Sequence, residues 1–426
     1  MTDSIRLRHD GCLKARIVLP ASKSISARAL IINALSGNPS LPENLSDSDD
    51  TQAMLRALRT PPGVPVLDIG AAGTAMRFLT ACLSVTPGER TLTGTERMRH
   101  RPIGILVDAL RQLGADISYE GEEGFPPLHI VGREGLRGGS LAVAGNVSSQ
   151  YVSALLMIAP TLKDGLRLTL TGEIASRPYL DMTLGMMRDF GAEAAWTAPD
   201  AIEVKGGTYL RLPYHVEGDW SAASYWYEMV ALAQGEEDAE VELVGLHRES
   251  MQGDSKVSEW MAGLGVASQF LTEPDGTEVV RLRKQAGSIT GCFCQDFTHQ
   301  PDLAQTFAVT CAMLGVPFRL TGLQSLRIKE TDRIAALTKE LGKMVCVEER
   351  NGELLWEGFR SMGDLEAMCR RQTVFDTYDD HRMAMALAPV CLRTGEVRIN
   401  CPQVVSKSYP AFWDDLGKAG FICDYL

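Results

Sequence analysis

The sequence has little of what marks a metal, redox or membrane protein. Its ten cysteines run from Cys12 to Cys423, and only Cys292 and Cys294 lie close together, with one residue between them. That spacing matches neither a zinc site nor a CxxC redox pair. Free, mostly buried thiols in a reducing compartment are the expectation. The seven histidines include no HExxH-like pair, so no metal site is expected. No apolar run approaches the ~20 residues that cross a bilayer. The opening residues MTDSIRLRHDG lack the apolar centre of a secretory leader. A cytoplasmic protein away from membranes is expected. Positive charge is also scarce: 42 Lys and Arg stand against 54 Asp and Glu, a net charge of −12. This argues against general binding to nucleic acid or to anionic lipid. An anionic ligand would need a local cationic pocket.

What is present is an ordinary globular composition, 45% hydrophobic and 23% charged over 426 residues. That length exceeds one ordinary core, so two domains are expected. Two series of helix signals recur. The first is apolar almost all round and opens at a capping residue, near Ser24, Thr74, Ser149, Ser221, Asp302 and Asp380. Helices of that kind belong inside a domain. The second is amphipathic and stops at a glycine followed by a strand-like run, at Gly114, Gly191, Gly265, Gly342 and Gly420. Each glycine is expected to supply the left-handed residue that ends a helix. A sixth copy is due after DSDDTQAMLRAL, but RTPPGVPVLDI stands there. The pattern predicts an α/β (α+β) fold of six units of about seventy-five residues, each with two helices and short strands, the first one shortened. Three units would make each domain, with a boundary near Val216 to Asp219.

The chemistry-bearing residues gather at helix starts. Ser22, Lys23, Ser24 and Arg28 open one apolar helix, the Gly-rich run Gly70 to Arg77 opens another, and Ser148, Ser149 and Gln150 open a third. Free N–H groups and the helix dipole favour an anion there, although capping by Ser or Thr is the commoner use of such residues. Neither Gly-rich loop fits the dinucleotide or P-loop pattern. In the second series a cation precedes the closing glycine by 13 or 14 residues, at Arg101, Arg177, Lys329 and Lys407. Cations are disfavoured at helix N-termini, so their recurrence suggests joint binding of anions. Lys329 and Arg333 are four apart, on one helical face, with Glu330 turned about 100° away. Asp379, Asp380, His381 and Arg382 precede a very apolar helix. A buried helix rarely needs four ionisable residues at its mouth, which points to function.

In order along the chain, LPASKSISARAL, GTAMR, RPIGILVDALRQLGA, SSQ, KETDR, DDHRMAMA and VVSKSYPAFW closely resemble the 5-enolpyruvylshikimate-3-phosphate synthase (3-phosphoshikimate 1-carboxyvinyltransferase) family, over nearly the whole chain. The resemblance implies a two-domain inside-out barrel of six βαβαββ-like units: a first domain over 21–218, and a second from 1–20 with 219–426, joined by two hinge crossovers. It implies transfer of the enolpyruvyl group of phosphoenolpyruvate to the 5-hydroxyl of shikimate 3-phosphate, with release of phosphate, on the route to chorismate and the aromatic amino acids. Shikimate 3-phosphate would be held by Lys23, Ser24, Arg28, Ser148, Ser149, Gln150 and Ser176, with Asp302 and Lys329 beside it. Phosphoenolpyruvate would be held by Lys23, Gly73, Arg101, Gln150, Arg333, Arg382 and Lys407. Asp302 would take the hydroxyl proton, Glu330 would protonate the methylene, and Lys23, Lys329 and His381 would complete the catalytic set. Domain closure would exclude water. No cofactor is implied, the partners are small molecules, and a monomer is expected.

The match has departures. Ala71 replaces an asparagine and Phe78 a proline in the Gly-rich loop, Ala21 and Ala27 replace a glycine and an asparagine in the first motif, and Ser325 replaces an asparagine ahead of KETDR. The first unit lacks a strand–turn–strand stretch that the family usually has. A second enolpyruvyl transferase family, acting on UDP-N-acetylglucosamine, shares the fold. It opens with Gly-Ala-Lys-Asn and carries a cysteine in its closing loop, whereas Thr91 to Gly104 here has none. A binding protein without catalysis would keep the cations but has no need of Asp302 and Glu330.

Overall fold

The computed structural model describes residues 3–61, 63–235, 239–285 and 291–426. Two residues of the segment 1–20 and Pro62 of the replaced sixth copy lie outside them. The strands, in chain order, are β1 (Ser4–His9), β2 (Leu13–Val18), β3 (Val66–Asp68), β4 (Gly88–Thr93), β5 (Asp116–Tyr119), β6 (Leu128–Gly132), β7 (Gly139–Ala144), β8 (Leu166–Thr171), β9 (Ala194–Ala198) and β10 (Ala201–Val204). They continue as β11 (Ala239–Val244), β12 (Val266–Thr272), β13 (Glu278–Lys284), β14 (Phe293–Asp296), β15 (Phe318–Thr321), β16 (Glu348–Arg350), β17 (Glu353–Trp356), β18 (Thr373–Phe375), β19 (Glu396–Asn400) and β20 (Phe421–Tyr425). The helices used below are α1 (Lys23–Ser36), α2 (Asp49–Arg59), α3 (Gly73–Val85), α4 (Gly104–Gln112), α5 (Ser149–Ile158), α6 (Arg177–Asp189), α7 (Trp220–Leu232), α8 (Val257–Ala262), α9 (Ala304–Leu314), α10 (Arg333–Leu341), α11 (His381–Leu387) and α12 (Phe412–Lys418).

The strands form five four-stranded sheets of one pattern, ordered β3-β4-β6-β5, β7-β8-β10-β9, β2-β11-β13-β12, β14-β15-β17-β16 and β18-β19-β1-β20. In each, the first pair is parallel and the next two pairs are antiparallel. In three sheets an apolar helix connects the parallel pair, as a parallel crossover requires, and an amphipathic helix leads to the closing hairpin; in the other two the same order is completed across the chain, β2 pairing with β11 and β1 with β20. This is βαβαββ five times over. The sixth copy holds α1 and α2 without a sheet. More is gone than the expected strand–turn–strand: among the described residues between α1 and β3, pairing is limited to a bridge between Glu43 and His215. A parallel pair lacking its antiparallel partners is too narrow to persist as a sheet.

The chain divides into two compact units, Met1–Pro20 with Glu217–Leu426, and Ala21–Val216. The division falls two residues before the expected 218/219. The Val216 N–H donates to Glu43 in one unit, whereas that of Gly218 donates to Gly245 in the other. In the first unit α7, α9 and α11 pack on one another, and in the second α1, α3 and α5 do so. Each trio sits inside one continuous apolar core. Every residue of α7 but Ser221 is buried, and every residue of α9 but Leu314. Sheet faces turned outward carry charge ladders such as Arg16–Glu242–Arg281, with 2.9 and 2.8 Å contacts.

Side-chain caps open four of the six apolar helices, whereas α3 and α9 open at Ala72 and Leu303 without one. Ser22 accepts from the Ile25 N–H, Asp219 from Ala222 and Asp380 from Arg382. Gly114, Gly191, Gly265 and Gly420 have φ between 81° and 96°, as a helix-ending glycine should. Gly342 does not: at φ −58° it stays helical, and the chain continues through a further turn with Met344 and Val345 both bonding to the Leu341 carbonyl. The thiols also depart from expectation. Cys82, Cys311 and Cys391 are buried, but Cys12, Cys292, Cys294, Cys346 and Cys401 are exposed. Cys294 lies on the edge strand β14, which has a neighbour on one side. Among the described residues no helix is long and apolar enough to cross a membrane.

Candidate functional site

The second unit brings its predicted residues to the starts of its inner helices. Lys23 opens α1 and lies 3.7 Å from Asp50, in the first turn of α2. Asp50 gave no sequence signal beyond an acid at a helix N-terminus, where acids are ordinary. Ser24 is partly exposed beside it. Arg28 turns inward and is 2% exposed. Its guanidinium donates to the Thr183 hydroxyl at 2.7 Å, the Ser24 carbonyl at 2.9 Å and the Ser153 hydroxyl at 3.2 Å, tying α1 to α5 and α6. Burial draws its pKa down to about 10. The Phe78 ring lies 5.3 Å below this guanidinium. Phe78 is inside α3, where a proline would remove a backbone hydrogen bond, so the departure at this position supplies an aromatic face to a buried cation.

At the start of α3, Gly73 leaves room that no other residue would. An added Cβ would meet Nη1 of Arg101 at 2.6 Å and Nη1 of Arg77 at 2.8 Å. Two guanidinium groups therefore share one helix N-terminus. Gln150 donates to the Thr74 hydroxyl at 3.0 Å from the first turn of α5. Ser148 caps that helix and Ser149 begins it. Ser176, 8% exposed, precedes α6 in the left-handed region at φ 54° without a side-chain capping bond, a conformation non-glycine residues adopt at a cost and often at functional sites. Of the four recurring cations, Arg177 alone stands in an α-helix, and Lys407 ends the short 3-10 helix Pro402–Lys407. Arg101, Lys329 and Lys407 lie in the turns ahead of α4, α10 and α12. Arg177 stacks 4.0 Å above Trp196 and donates to the Pro199 carbonyl: it is a packing residue.

The first unit gathers its charged residues around one guanidinium. KETDR is not a helical turn: α10 starts at Arg333, with Asp332 as its cap. Arg333 is 2% exposed. Its Nε donates to Asp380 at 2.6 Å, Nη1 to Asp302 at 2.9 Å and Nη2 to Glu330 at 2.7 Å. Burial opposes its charge, but the fields of Asp380, Glu330 and Asp302 outweigh that and raise its pKa. Asp302 also accepts from Arg382 at 2.9 Å and lies 3.6 Å from the Lys329 ammonium. Asp302, Glu330 and Lys329 keep side-chain exposures of 16%, 25% and 31%, against 0% for Asp380. The reachable groups are thus two carboxylates and an ammonium, standing on a buried frame of Arg333 and Asp380. His381 is inside, 1% exposed, with Nδ1 3.9 Å from Asp380.

The loop ahead of α11 is bent by two left-handed residues, Tyr378 and Asp379, at φ 53° and 55°. One helix face holds it: Arg333 binds Asp380, and Glu340, two turns on, accepts from the Tyr378 hydroxyl at 2.5 Å and the Asp376 N–H at 3.0 Å. The Lys407 ammonium donates to the Asp379 carbonyl at 2.5 Å. Sequence reasoning missed Glu340, Tyr378, Asp254 and Ser221. Glu340 reads as one more charge on a helix, and the other three carry no motif.

The fold and these two groups of side chains define a repeat α/β protein whose inner helix ends carry cations and hydroxyls, with a carboxylate pair in one unit. The EPSP synthase (3-phosphoshikimate 1-carboxyvinyltransferase) family profile matches residues 7–63 and 60–416, and the chain belongs to that family. It is 57% identical over 413 residues to the 3-phosphoshikimate 1-carboxyvinyltransferase of Bacteroides fragilis, covering 96% of each chain. To that of Idiomarina loihiensis it is 35% identical over 451 residues, covering 98% of this chain and 99% of the relative. The fold is that of the solved EPSP synthase of Acinetobacter baumannii, with a TM-score of 0.76 at 20% identity over 99% of this chain and 100% of that one.

Proposed function

We propose that this chain transfers the enolpyruvyl group of phosphoenolpyruvate to the 5-hydroxyl of shikimate 3-phosphate and releases inorganic phosphate. The observation that carries the reading is Asp302: a partly accessible carboxylate set among Lys329, Arg333 and Arg382, with Glu330 on the same guanidinium. Addition needs a base for the hydroxyl and an acid for the methylene carbon. Two carboxylates in different surroundings divide those roles. Asp302 takes the hydroxyl proton as the oxygen bonds to C2, and Glu330 delivers a proton to the methylene carbon. Elimination then removes a proton from the resulting methyl group as phosphate leaves. Both substrates carry carboxylate and phosphate groups, which suit Arg forks and Lys charges.

In this reading Lys23, Ser24, Ser148, Ser149, Gln150 and Ser176 hold shikimate 3-phosphate. Gly73, Arg101, Arg382 and Lys407 hold phosphoenolpyruvate. Arg28 and Arg333, both spent on neighbours in this structure, act first by fixing those ligands' surroundings. The chain works as a monomer, since one copy carries every assigned residue, and acts in the cytoplasm, where its five exposed thiols stay reduced.

The test is phosphate release from phosphoenolpyruvate with and without shikimate 3-phosphate. Release that requires both supports the transferase. Binding of shikimate 3-phosphate without release would indicate a binding protein instead. Asp302→Asn should keep measurable substrate binding while turnover falls by about 10²–10⁴-fold; unchanged turnover would remove Asp302 as the base.

A further inference from the structure

We infer that Asp254 is a positioning residue for Asp302 and Arg382, acting through the hydroxyl of Ser221. The inference rests on the reading of Asp302 as the base. Asp254 lies in the short turn Gly253–Lys256 ahead of α8 and is 4% exposed. Ser221, in the first turn of α7, gives its hydroxyl proton to Asp254 Oδ2. The Ser221 Oγ accepts from Nη2 of Arg382 at 3.5 Å, and that Nη2 donates to Asp302 Oδ2 at 2.9 Å. A hydroxyl has one proton and two lone pairs. Committing the proton to Asp254 turns a lone pair toward Arg382, so Asp254 decides which way Ser221 points. Four separate elements thus meet in one line: Asp254, Ser221, Arg382 and Asp302.

Two features separate this carboxylate from a structural anchor. Its second oxygen, Oδ1, is buried without a hydrogen-bond partner among the described residues, whereas anchoring carboxylates such as Glu217 spend both oxygens on donors. An unsatisfied buried oxygen is expensive and calls for a reason. The charged groups facing Asp254 are Asp302, Arg382 and the α7 cap Asp219. Burial first, then the field of Asp302, push its pKa up to about 6, against the pull of Arg382 and Ser221. The two acids therefore sense each other across one guanidinium. Asp254 orients Arg382 on Asp302, and the charge of Asp302 in turn holds the proton on Asp254 more tightly.

The experiment follows the side-chain carboxyl carbons of Asp by NMR titration of the full chain, with the Asp254 signal assigned from its loss in Asp254→Asn. In Asp302→Asn, a neutral isostere, the Asp254 midpoint should move to lower pH by about half a unit or more, because the charge that holds its proton is gone. An unmoved midpoint overturns the inference, and the titration does not depend on turnover. Where the parent protein turns over, Asp254→Ala and Ser221→Ala should each lower kcat/KM for phosphoenolpyruvate by about ten-fold, and the double variant by no more than either. Multiplying losses would show two independent residues and overturn the relay. Failure of the parent to release phosphate would sink the transferase reading alone.

Discussion

Replacing Arg333 by Met tests whether one guanidinium holds the first unit's charged cluster together. The side chain is 2% exposed and reaches Asp380, Glu330 and Asp302 at 2.6, 2.7 and 2.9 Å. Methionine roughly keeps the length but leaves three carboxylates converging on an apolar stem. Arg382 and Lys329 still offset Asp302, so the loss falls on Asp380, which is 0% exposed, and on Glu330. Unit charges about 4 Å apart interact by ~4 kcal/mol at an effective dielectric near 20. Removing one partner of a buried pair costs ~3–5 kcal/mol. At ~2–4 °C per kcal/mol for a domain of roughly 150–250 residues, the unfolding transition of that unit falls by about 6–20 °C at pH 7. Scanning calorimetry is the assay, because it separates the transitions of two units. The sign with pH is fixed too. Carboxylates deprived of Arg333 hold protons more tightly in the fold than in the unfolded chain, so the variant regains stability as pH falls toward 4.5. A fall under about 2 °C at pH 7, or a deficit that ignores pH, would refute the argument that this guanidinium organises the cluster.

The other predictions use separate features. Glu228, fully buried in α7, has its pKa raised well above the ordinary value by burial, with the Thr310 hydroxyl opposing. The fold keeps its proton where the unfolded chain has lost it, so its stabilising contribution, complete below pH ~4.5, declines as pH rises. Glu228→Gln should therefore unfold at a higher temperature than the parent at pH 8 but not at pH 4.5, read by thermal melts at both. Gly73→Ala should fold normally, since its Cβ meets the far ends of two flexible side chains, Arg101 and Arg77. It should displace Arg101 and raise KM for phosphoenolpyruvate more than it lowers kcat, measured by steady-state kinetics. Arg177→Ala should cost about 0.5–1 kcal/mol of stability through its lost stack on Trp196, with kcat/KM unchanged, whereas Arg101→Ala should lower kcat/KM.

Much of this architecture is written in the chain. The inner helices are apolar on every side, and such a surface can be buried only by neighbours all round, so α7 and α9 announce an interior position by composition alone. The repeat was legible because glycine is cheapest where a helix must end in the left-handed region, as at Gly114, Gly191, Gly265 and Gly420. Gly342 shows the limit: a glycine is permitted to be left-handed, not compelled, and at φ −58° this one stays helical as the chain runs into a further turn. Likewise the spacing of KETDR suits a helix, but its start at Arg333 was set by Asp332 capping Ala335 and by the pull of Asp302 and Asp380 on the Arg333 side chain.

By itself the sequence determined which residue types stand at the helix mouths, because motif and period are local properties of the chain. It also determined that cations gather within a chain of net charge −12. Only the tertiary structure decided which cations are spent on their neighbours and which remain within reach. Arg28 and Arg333 lie inside, Arg177 lies flat on Trp196, and Lys329 stands beside Asp302. It also decided that the repeat of α1 and α2 carries no sheet among the described residues, and that Asp254 and Ser221 line up with Arg382. The physical reason is that charge and hydrogen-bonding state depend on distance and burial, which bring together residues as far apart as Ser221 and Arg382, while sequence pattern reports only on near neighbours.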